Sequence, residues 1–433
     1  MTCCVHHLLS ATFAVVLIVT STIFPSEHVY GHTADGFLPL QFQGYLAPFG
    51  TDDTETYTEV CGSDGYAYLG SLTSGVAIID IRDSSALATT TVFGANSGNA
   101  FVDIQVVEGV GYFSSDTGGT YLVDLATPSN PVFLSQISST ENGFDSVTNA
   151  LVYQDYFFQV FENSSEIAVF DISNPLVPVF LMRIETNDSI GVYDLSVHEG
   201  RIYVAGLGGV ANEGAAYIYD ITNLSTGSVA LLGKVATGLN TASVAASSDH
   251  SQLVVSHLET GGTLAAWNIS NLSAAFEIES IDASDLDVNS LSAGEIVVLD
   301  STAYVAWHQA GVQVIDLSLL EQSGTIFRIG AFGTSQASPL EGFVGNTSVF
   351  PMGHNQVLLS DTRWGLYLVD ATNVVDSSLL GDVNQDGDVN FLDIGSFIEI
   401  LSASGYLAEA DVNQDAEVNF FDIPSFVAIL ATS

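Results

Sequence analysis

A short apolar phrase that ends in an acid recurs seven times along the chain, and this repeat restricts the possible folds more than any other feature. In the first copy, Val76–Ile81, four apolar residues precede Asp80 and one follows it. The residues that mark the copies are Asp80, Asp124, Asp171, Asp220, Asn268, Asp316 and Asp370. They lie 44 to 54 residues apart. Apolar runs of this length are typical of buried strands, and a period of this size indicates a repeat architecture.

Each copy belongs to a larger unit of four short strands. In the first unit the predicted strands are Thr58–Val60, Tyr66–Leu69, Val76–Ile81 and Thr90–Phe93, separated by turn residues, and no helical period interrupts them. A single sheet of four strands cannot bury both of its faces, so such units must pack on one another and close a ring. We therefore predict an all-β fold over residues 36–378, a seven-bladed β-propeller.

The two ends of this region suggest how the ring closes. The seventh unit runs through Leu366–Ala371, and no convincing fourth strand follows. Before the first unit, the segment Leu40–Leu46 resembles the outer strands but has no partner of its own. We expect it to complete the seventh blade; the alternative is a disordered leader.

The N-terminal segment has the features of an export signal. Leu8–Phe24 is mostly apolar, and its length suits the core of a signal peptide better than a full membrane span. It departs from the usual pattern because no lysine or arginine occurs before Arg82. We predict that residues 1–34 are a signal peptide, or else an N-terminal anchor, which implies a secreted or cell-surface protein.

The charge of the chain excludes two classes of partner. It carries 6 lysines and arginines against 50 acids, a net charge of −44. Nucleic acids and anionic membrane surfaces attract basic patches, so neither is an expected partner. Outside the N-terminal segment Cys61 is the single cysteine, which rules out an internal disulfide and favours a small core residue.

The clearest chemistry follows residue 380, where a twelve-residue loop with alternating oxygen side chains occurs twice. Ca²⁺ takes six to eight oxygen ligands, and in such loops position 7 binds through its backbone carbonyl. The predicted ligands of the first loop are Asp382, Asn384, Asp386, Asp388 (through its carbonyl), Asn390 and Asp393. Those of the second loop are Asp411, Asn413, Asp415, Glu417 (through its carbonyl), Asn419 and Asp422. We predict two calcium sites.

The second site is expected to be the weaker one. Gly387 permits the sharp bend of the first loop, whereas Ala416 stands at that position in the second. A left-handed residue costs alanine on the order of 1 kcal/mol relative to glycine. Each loop leads into a short predicted amphipathic helix.

These patterns resemble two known families. The repeated phrases resemble the LVIVD-repeat propellers of bacterial surface and secreted proteins, and the first two units resemble the choice-of-anchor B group. Residues 379–433, with no helix before the first loop and Asp at position 12, resemble a type I dockerin, an EF-hand-like, α-helical module. That resemblance implies Ca²⁺-dependent folding and docking on a cohesin-like or other surface protein. Phe391 and Phe420 depart from the small polar recognition residues common in that family.

A weaker pattern concerns the first strand of each blade, which lines the central channel of a propeller. When the units are aligned on their first turn, equivalent positions hold Glu59, Asp103, Asn149, Asp194, Ala245, Glu295 and Val349. The four acids and the amide would suit a cation or a cationic ligand. The alternative is that they are solvated strand starts at a channel mouth.

The function expected from these features is that of an exported, non-catalytic binding or scaffold protein. Its propeller would recognise a polysaccharide or a protein, and its dockerin-like module would attach it to a partner. The alternative is a polysaccharide-degrading hydrolase or an accessory subunit of a dockerin–cohesin assembly, because channel acids can supply the two carboxyls of a glycosidase.

Overall fold

A computed structural model provides the structure of the protein, and it describes 38–430 with internal gaps. The gaps are 52–54, 96, 139–145, 162–163, 187–188, 209–213, 239, 258–262, 286–292, 300, 319, 321–323, 335–344, 353–355, 373–380, 382, 384–390, 392, 404–409, 411, 413–417 and 421–422. The predicted signal peptide, residues 1–34, lies outside the described residues. No helix among the described residues combines the length and the apolar character needed to span a membrane.

The described strands form seven sheets, one for each copy of the repeat, which confirms the predicted seven-bladed propeller. Two short strands come first, β1 (Leu38–Pro39) and β2 (Gln41–Leu46). Blade one contains β3 (Tyr57–Ser63), β4 (Tyr66–Ser71), β5 (Gly75–Asp80) and β6 (Ala88–Phe93), and blade two contains β7 (Phe101–Val107), β8 (Val110–Ser115), β9 (Gly119–Asp124) and β10 (Val132–Ile137). Blade three contains β11 (Val147–Tyr153), β12 (Tyr156–Phe161), β13 (Glu166–Asp171) and β14 (Val179–Glu185), and blade four contains β15 (Gly191–His198), β16 (Arg201–Leu207), β17 (Ala215–Asp220) and β18 (Ala230–Ala236).

The remaining blades follow the same order. Blade five contains β19 (Thr241–Ala246), β20 (Gln252–His257), β21 (Leu264–Asn268) and β22 (Phe276–Ile281), and blade six contains β23 (Ile296–Leu299), β24 (Thr302–Ala306), β25 (Val312–Asp316) and β26 (Phe327–Phe332). Blade seven contains β27 (Asn346–Pro351), β28 (Gln356–Asp361) and β29 (Gly365–Asp370). Single-turn 3-10 helices at Ser84–Ala86, Leu224–Thr226 and Leu272–Ala274 precede the fourth strands of blades one, four and five.

The ring closes as predicted. Strand β2 pairs antiparallel with β29, with Gln41 opposite Asp370 and Leu46 opposite Leu366, so it is the fourth strand of blade seven. Gln43 donates a hydrogen bond from Nε2 to Asp370 Oδ2 at 2.9 Å. Strand β1, which was not predicted, pairs in parallel with β26 of blade six. The chain therefore joins blades six and seven before it begins blade one.

The repeated phrase is the third strand of every blade, and its terminal acid shapes the turn that follows. In all seven copies the side-chain oxygen of the marking residue accepts a hydrogen bond from the backbone N–H two residues later, at 2.7–3.2 Å. Asn268, the divergent copy, makes this bond through its amide oxygen. Short side chains of this kind replace a backbone turn hydrogen bond, which explains why the position accepts Asp or Asn.

The core lies between the blades. Six clusters of buried apolar side chains each combine residues from two adjacent blades. In one of them, Leu69 of blade one packs with Leu368 of blade seven. Full burial of such a side chain contributes about 1.5–3 kcal/mol. The fourth strands are more exposed, because nothing among the described residues covers their outer side.

Tight hairpins join the first and second strands of several blades. In blade one the turn residues Asp64 and Gly65 have φ values of 50° and 80°, and Glu108 and Gly109 of blade two have 51° and 76°. Two consecutive residues at positive φ are typical of two-residue hairpin turns that match the strand twist. Glu199 of blade four occupies the same position, with φ at 40°.

After the propeller, the described residues include two helices, α1 (Asp393–Ala403) and α2 (Ile423–Leu430). Phe397 of α1 stacks on Phe426 of α2, with ring centroids 4.1 Å apart. Val383, Val412 and Leu430 are buried around this pair. These few side chains form a small core, which agrees with the prediction of an α-helical C-terminal domain.

Candidate functional sites

Polar side chains from the first strands form a ring in the central channel. The cross-strand register shows which residues are equivalent, because most first strands have a bulge just before this position. The ring consists of Glu59, Asp103, Asn149, Asp194, Ser243, Glu295 and Ser348. All seven are polar: four carboxyl groups, one amide and two hydroxyls.

Five of the seven ring positions agree with the sequence alignment, and two are corrected. The structure places Ser243 and Ser348 in the ring where the sequence predicted Ala245 and Val349. The turns after these strands are longer than those of blades one, two and four, since residues 247–251 separate β19 from β20. Counting back from the turn therefore missed the two serines. Both serines lie two residues after the start of their strands, Thr241 and Asn346.

The ring borders two cavities in the channel, with volumes of about 500 and 240 Å³. Both cavities are lined by Glu59, Asp103, Asn149, Asp194 and Glu295. All six lysines and arginines of the chain lie within the described residues, and none of them lines either cavity. No lysine or arginine therefore lies among the four carboxyl groups, although His308 lines the larger cavity and His198 the smaller one.

The ring side chains also hold neighbouring blades together. Five of them accept a hydrogen bond from a backbone N–H on the first strand of the next blade. These bonds join Ala150 N to Asp103 Oδ2 at 3.1 Å, Val244 N to Asp194 Oδ2 at 3.4 Å, Ile296 N to Ser243 Oγ at 3.0 Å, Val349 N to Glu295 Oε2 at 2.9 Å and Val60 N to Ser348 Oγ at 3.2 Å. Asn149 adds a bond from Nδ2 to Asp194 Oδ1 at 3.1 Å. The ring thus satisfies backbone groups that the bulges release.

The channel favours the protonated form of all four ring acids. Burial, followed by the charge of Asp103, raises the pKa of Glu59 to about 8. Burial also raises the pKa of Asp194 to about 6, although hydrogen bonds from Ser243 and backbone groups oppose the effect. The pKa values of Asp103 and Glu295 rise well above their ordinary range because of burial and the neighbouring carboxyl groups. An acid and base pair for hydrolysis needs environments that separate two pKa values, whereas these four shift in the same direction.

Two of the twelve predicted calcium ligands lie among the described residues. Asp393 is the first residue of α1 and is fully buried, and Asn419 is partly buried before α2. The other ten lie outside the described residues: Asp382, Asn384, Asp386, Asp388, Asn390, Asp411, Asn413, Asp415, Glu417 and Asp422. A buried carboxylate at the start of a helix, at the end of a loop with only oxygen donors, suits a hard cation such as Ca²⁺.

Comparison with known families identifies this C-terminal segment. Residues 380–425 match the dockerin type I domain. The protein carries a dockerin. Domains of this family typically bind calcium and bind cohesins, and they typically occur on extracellular proteins.

Comparisons with curated proteins and with solved structures do not identify a further family. No curated protein matches the chain. Among solved structures, the computationally designed Ika8 protein is similar, with 13% identity and a TM-score of 0.49 over 76% of this chain and 99% of that protein. Similarity at this level carries no weight, so the fold assignment rests on the strand pairing described above.

Each half of the dockerin exposes apolar side chains at the same three positions, one before the helix and two within it. Phe391 and Phe420, which precede the two helices at equivalent points, are 74% and 80% exposed. Ile394 and Ile398 of α1 and their equivalents in α2, Ile423 and Val427, are also exposed. Only part of the predicted apolar stripe on each helix is therefore buried, and the rest forms a surface. Large exposed apolar side chains that cluster are typical of interaction sites.

Proposed function

We propose that this is an exported, non-catalytic binding protein in which the propeller presents a recognition surface and the dockerin attaches it to a partner. The observation that carries the proposal is the dockerin match at residues 380–425 on a chain whose preceding region closes into a complete propeller. The partner is a cohesin-like or other surface protein, and attachment depends on Ca²⁺.

The exposed apolar positions of the dockerin support docking. Phe391 and Phe420 would each contribute about 1.5–3 kcal/mol if a partner buried them. Aromatic side chains of this kind are the residues that most often dominate binding energy at protein interfaces. A partner with a complementary apolar patch would therefore suit this dockerin better than one that recognises small polar residues.

The state of the channel acids supports binding rather than catalysis. Asp103, Asp194 and Glu295 each accept a backbone hydrogen bond from the next blade, so they have structural roles. Burial raises the pKa of all four ring acids, so opposite pKa shifts do not divide the ring into a protonated acid and an ionised base.

The proposed docking function is tested by capturing partners from the native secretome. The full-length chain is immobilised, and capture is compared in Ca²⁺ and in EGTA. We expect a partner in Ca²⁺ that is lost in EGTA, and we expect its capture to fall at least tenfold when Phe391→Ser and Phe420→Ser are combined. Phe276→Ser is the matched control, because Phe276 is a 57% exposed phenylalanine of the propeller. Equal capture with and without Ca²⁺ would contradict the proposal.

The propeller arm is tested with a panel of polysaccharides. Binding without turnover agrees with a recognition surface. Release of new reducing ends by the purified chain, lost in a Glu59→Gln and Asp194→Asn double variant, would replace the proposal with a glycoside hydrolase.

A further inference from the structure

Two neighbouring blades bring three metal-ligating side chains together at one end of the propeller. His198 ends β15 and Glu199 follows in the tight turn of blade four, whereas His250 lies in the longer turn of blade five. One ligand atom from each residue lies within 4.8 Å of the other two. His250 Nε2 and Glu199 Oε2 are 4.0 Å apart, and the two imidazole rings have centroids 5.2 Å apart.

The Nε2 atom of His198, one of these three residues, has no hydrogen-bond partner. It is buried, and no protein donor or acceptor reaches it. Burying a polar atom without a partner costs free energy, because its hydrogen bonds to water are lost. The residue also lines the smaller of the two channel cavities. A metal ion bound by the imidazole would remove this cost.

The second imidazole is already oriented for a ligand. His250 Nδ1 and the hydroxyl oxygen of Tyr203 are 2.7 Å apart, and the Tyr203 side chain is fully buried. In the tautomer whose Nδ1–H donates to the Tyr203 hydroxyl oxygen, Nε2 carries the lone pair that binds a metal; in the other tautomer the hydroxyl donates to Nδ1 and Nε2 holds the proton. Histidines that bind metals usually donate their other ring N–H to an oxygen acceptor in this way.

The charged groups around His250 act in both directions. Arg201 and His198 oppose a positive charge there, whereas Glu199 and Asp249 favour one, and burial is the largest effect. Arg201 reduces the attraction for a dication, and the two carboxylates compensate for it. His250 also lines a surface cavity of about 480 Å³, which gives access from solvent.

We propose that His198, Glu199 and His250 bind a divalent transition metal of the zinc class, with water completing the coordination. Two imidazoles and a carboxylate are typical ligands of such ions. Tetrahedral coordination at about 2.0–2.1 Å places ligand atoms roughly 3.4 Å apart, so the group must contract slightly. Glu199 is able to close this gap, because its side chain is 73% exposed and is not confined by packing. The metal would cross-link blades four and five at the end of the channel.

Cobalt absorption tests the site in the full-length chain. Co²⁺ is added in saturating Ca²⁺, so that the oxygen-only loops of the dockerin are filled, and visible absorption of Co²⁺ bound by nitrogen is recorded. We expect one Co²⁺ per chain to produce these bands and Zn²⁺ to remove them.

Variants then assign the ligands. His198→Ala and His250→Asn should each abolish the bands, and asparagine tolerates the left-handed conformation of position 250, where φ is 59°. Glu199→Gln should weaken Co²⁺ binding at least tenfold. Its matched control is Glu108→Gln, which changes an exposed glutamate at the same turn position of blade two and should leave binding unchanged.

Tyr203→Phe separates a positioning role from a structural one. It should weaken Co²⁺ binding about tenfold by releasing His250 Nδ1, while circular dichroism of the metal-free chain stays the same. Absence of Co²⁺ bands in the unmodified chain, or bands that persist in both histidine variants with folded spectra, would overturn the proposal.

Discussion

The carboxylate of Asp103 in blade two accepts a hydrogen bond from the backbone N–H of Ala150 in blade three at 3.1 Å. The bond leaves Asp103 Oδ1 buried without a partner in the channel. The same relation recurs between other neighbouring blades, with Ser243 and Ser348 as acceptors in place of acids. The ring is therefore a seam, a set of side-chain acceptors that bind the backbone of the next blade beside its bulge. It is acidic because several blades use a carboxyl group as this acceptor, whereas others use a serine hydroxyl.

Removing one acceptor should measure the strength of the seam. Asp103→Ala leaves the Ala150 N–H buried without a partner, and we expect a loss of about 1–3 kcal/mol in the free energy of unfolding. Asp103→Asn retains an acceptor of the same shape and should lose much less. Urea unfolding of both variants in saturating Ca²⁺ provides the measurement. A loss for alanine no larger than that for asparagine would contradict the role assigned to the bond.

The ring predicts how stability depends on pH. The four acids have raised pKa values in the folded chain, about 6 for Asp194 and about 8 for Glu59. Between about pH 4, where free carboxyl groups titrate, and pH 8 these four residues hold more protons in the folded chain than in the unfolded chain. Stability should therefore fall as the pH rises through this range.

The Glu59 contribution to this slope is measured by comparing variants at pH 5 and pH 8. Glu59→Gln cannot ionise, so its unfolding free energy should fall less between the two pH values than that of the unmodified chain. Glu108→Gln, an exposed position in a turn, is the control for general charge repulsion and should keep the original slope. Identical slopes for Glu59→Gln and the control would show that the ring does not hold extra protons.

Asp171, one of the acids of the repeated phrase, should behave in the opposite sense. Hydrogen bonds from Ser173 lower the pKa of Asp171, so its contribution to stability is present above the unfolded value and is lost as the pH falls through the folded one. Asp171→Ala should lower the unfolding free energy by about 0.5–1 kcal/mol. Asp171→Asn should not, because Asn268 makes the same turn in blade five. Thermal unfolding of the two variants distinguishes an Asx turn from a purely electrostatic effect.

Removal of the closing strand should destabilise the propeller as a whole. A chain that begins at residue 47 lacks β1 and β2, exposes one side of β29 and loses the contact between Tyr45 and Tyr367. We expect a loss on the order of 3–5 kcal/mol. A chain that begins at residue 38 is the control. Equal unfolding midpoints for the two chains would mean that β2 is not needed for closure.

The dockerin should show two calcium sites of unequal strength. Ala416→Gly restores the residue type that position six of a calcium loop requires, so it should tighten the weaker of two steps in a calcium titration about threefold to tenfold. The stronger step in the same titration serves as the internal control. A change in the stronger step alone would assign the weak site to the first loop.

Much of this fold is predictable because the local turn signals and the spacing of the repeats indicate the same propeller architecture. The position of Asp80 and its equivalents at strand ends determines the Asx turns, and the spacing of the copies determines the number of blades. Leu40–Leu46 was predictable as the closing strand because the seventh predicted unit was the one without a fourth strand. The parallel pairing of Leu38 and Pro39 was not, since two residues give no periodic signal.

The sites were less predictable because they depend on contacts between blades. Ser243 was missed because a longer turn follows its strand. Local spacing gives no sign that His198 and His250 share a site, yet they are about one repeat apart, and adjacent blades place such positions side by side. In a repeat protein, spacing by one period is as informative as local spacing within a motif.

The closing strand β2 also affects how the propeller resists a force applied at its C-terminal end. Strand β29 is the last propeller strand before the dockerin, and it is paired on one side with β28 and on the other with β2. If tension is applied through a C-terminal attachment, it reaches β29. The hydrogen bonds to β28 and those to β2 then resist sliding of this strand at the same time. An attached protein of this kind would hold its load at the point where the first and last segments of the ring meet.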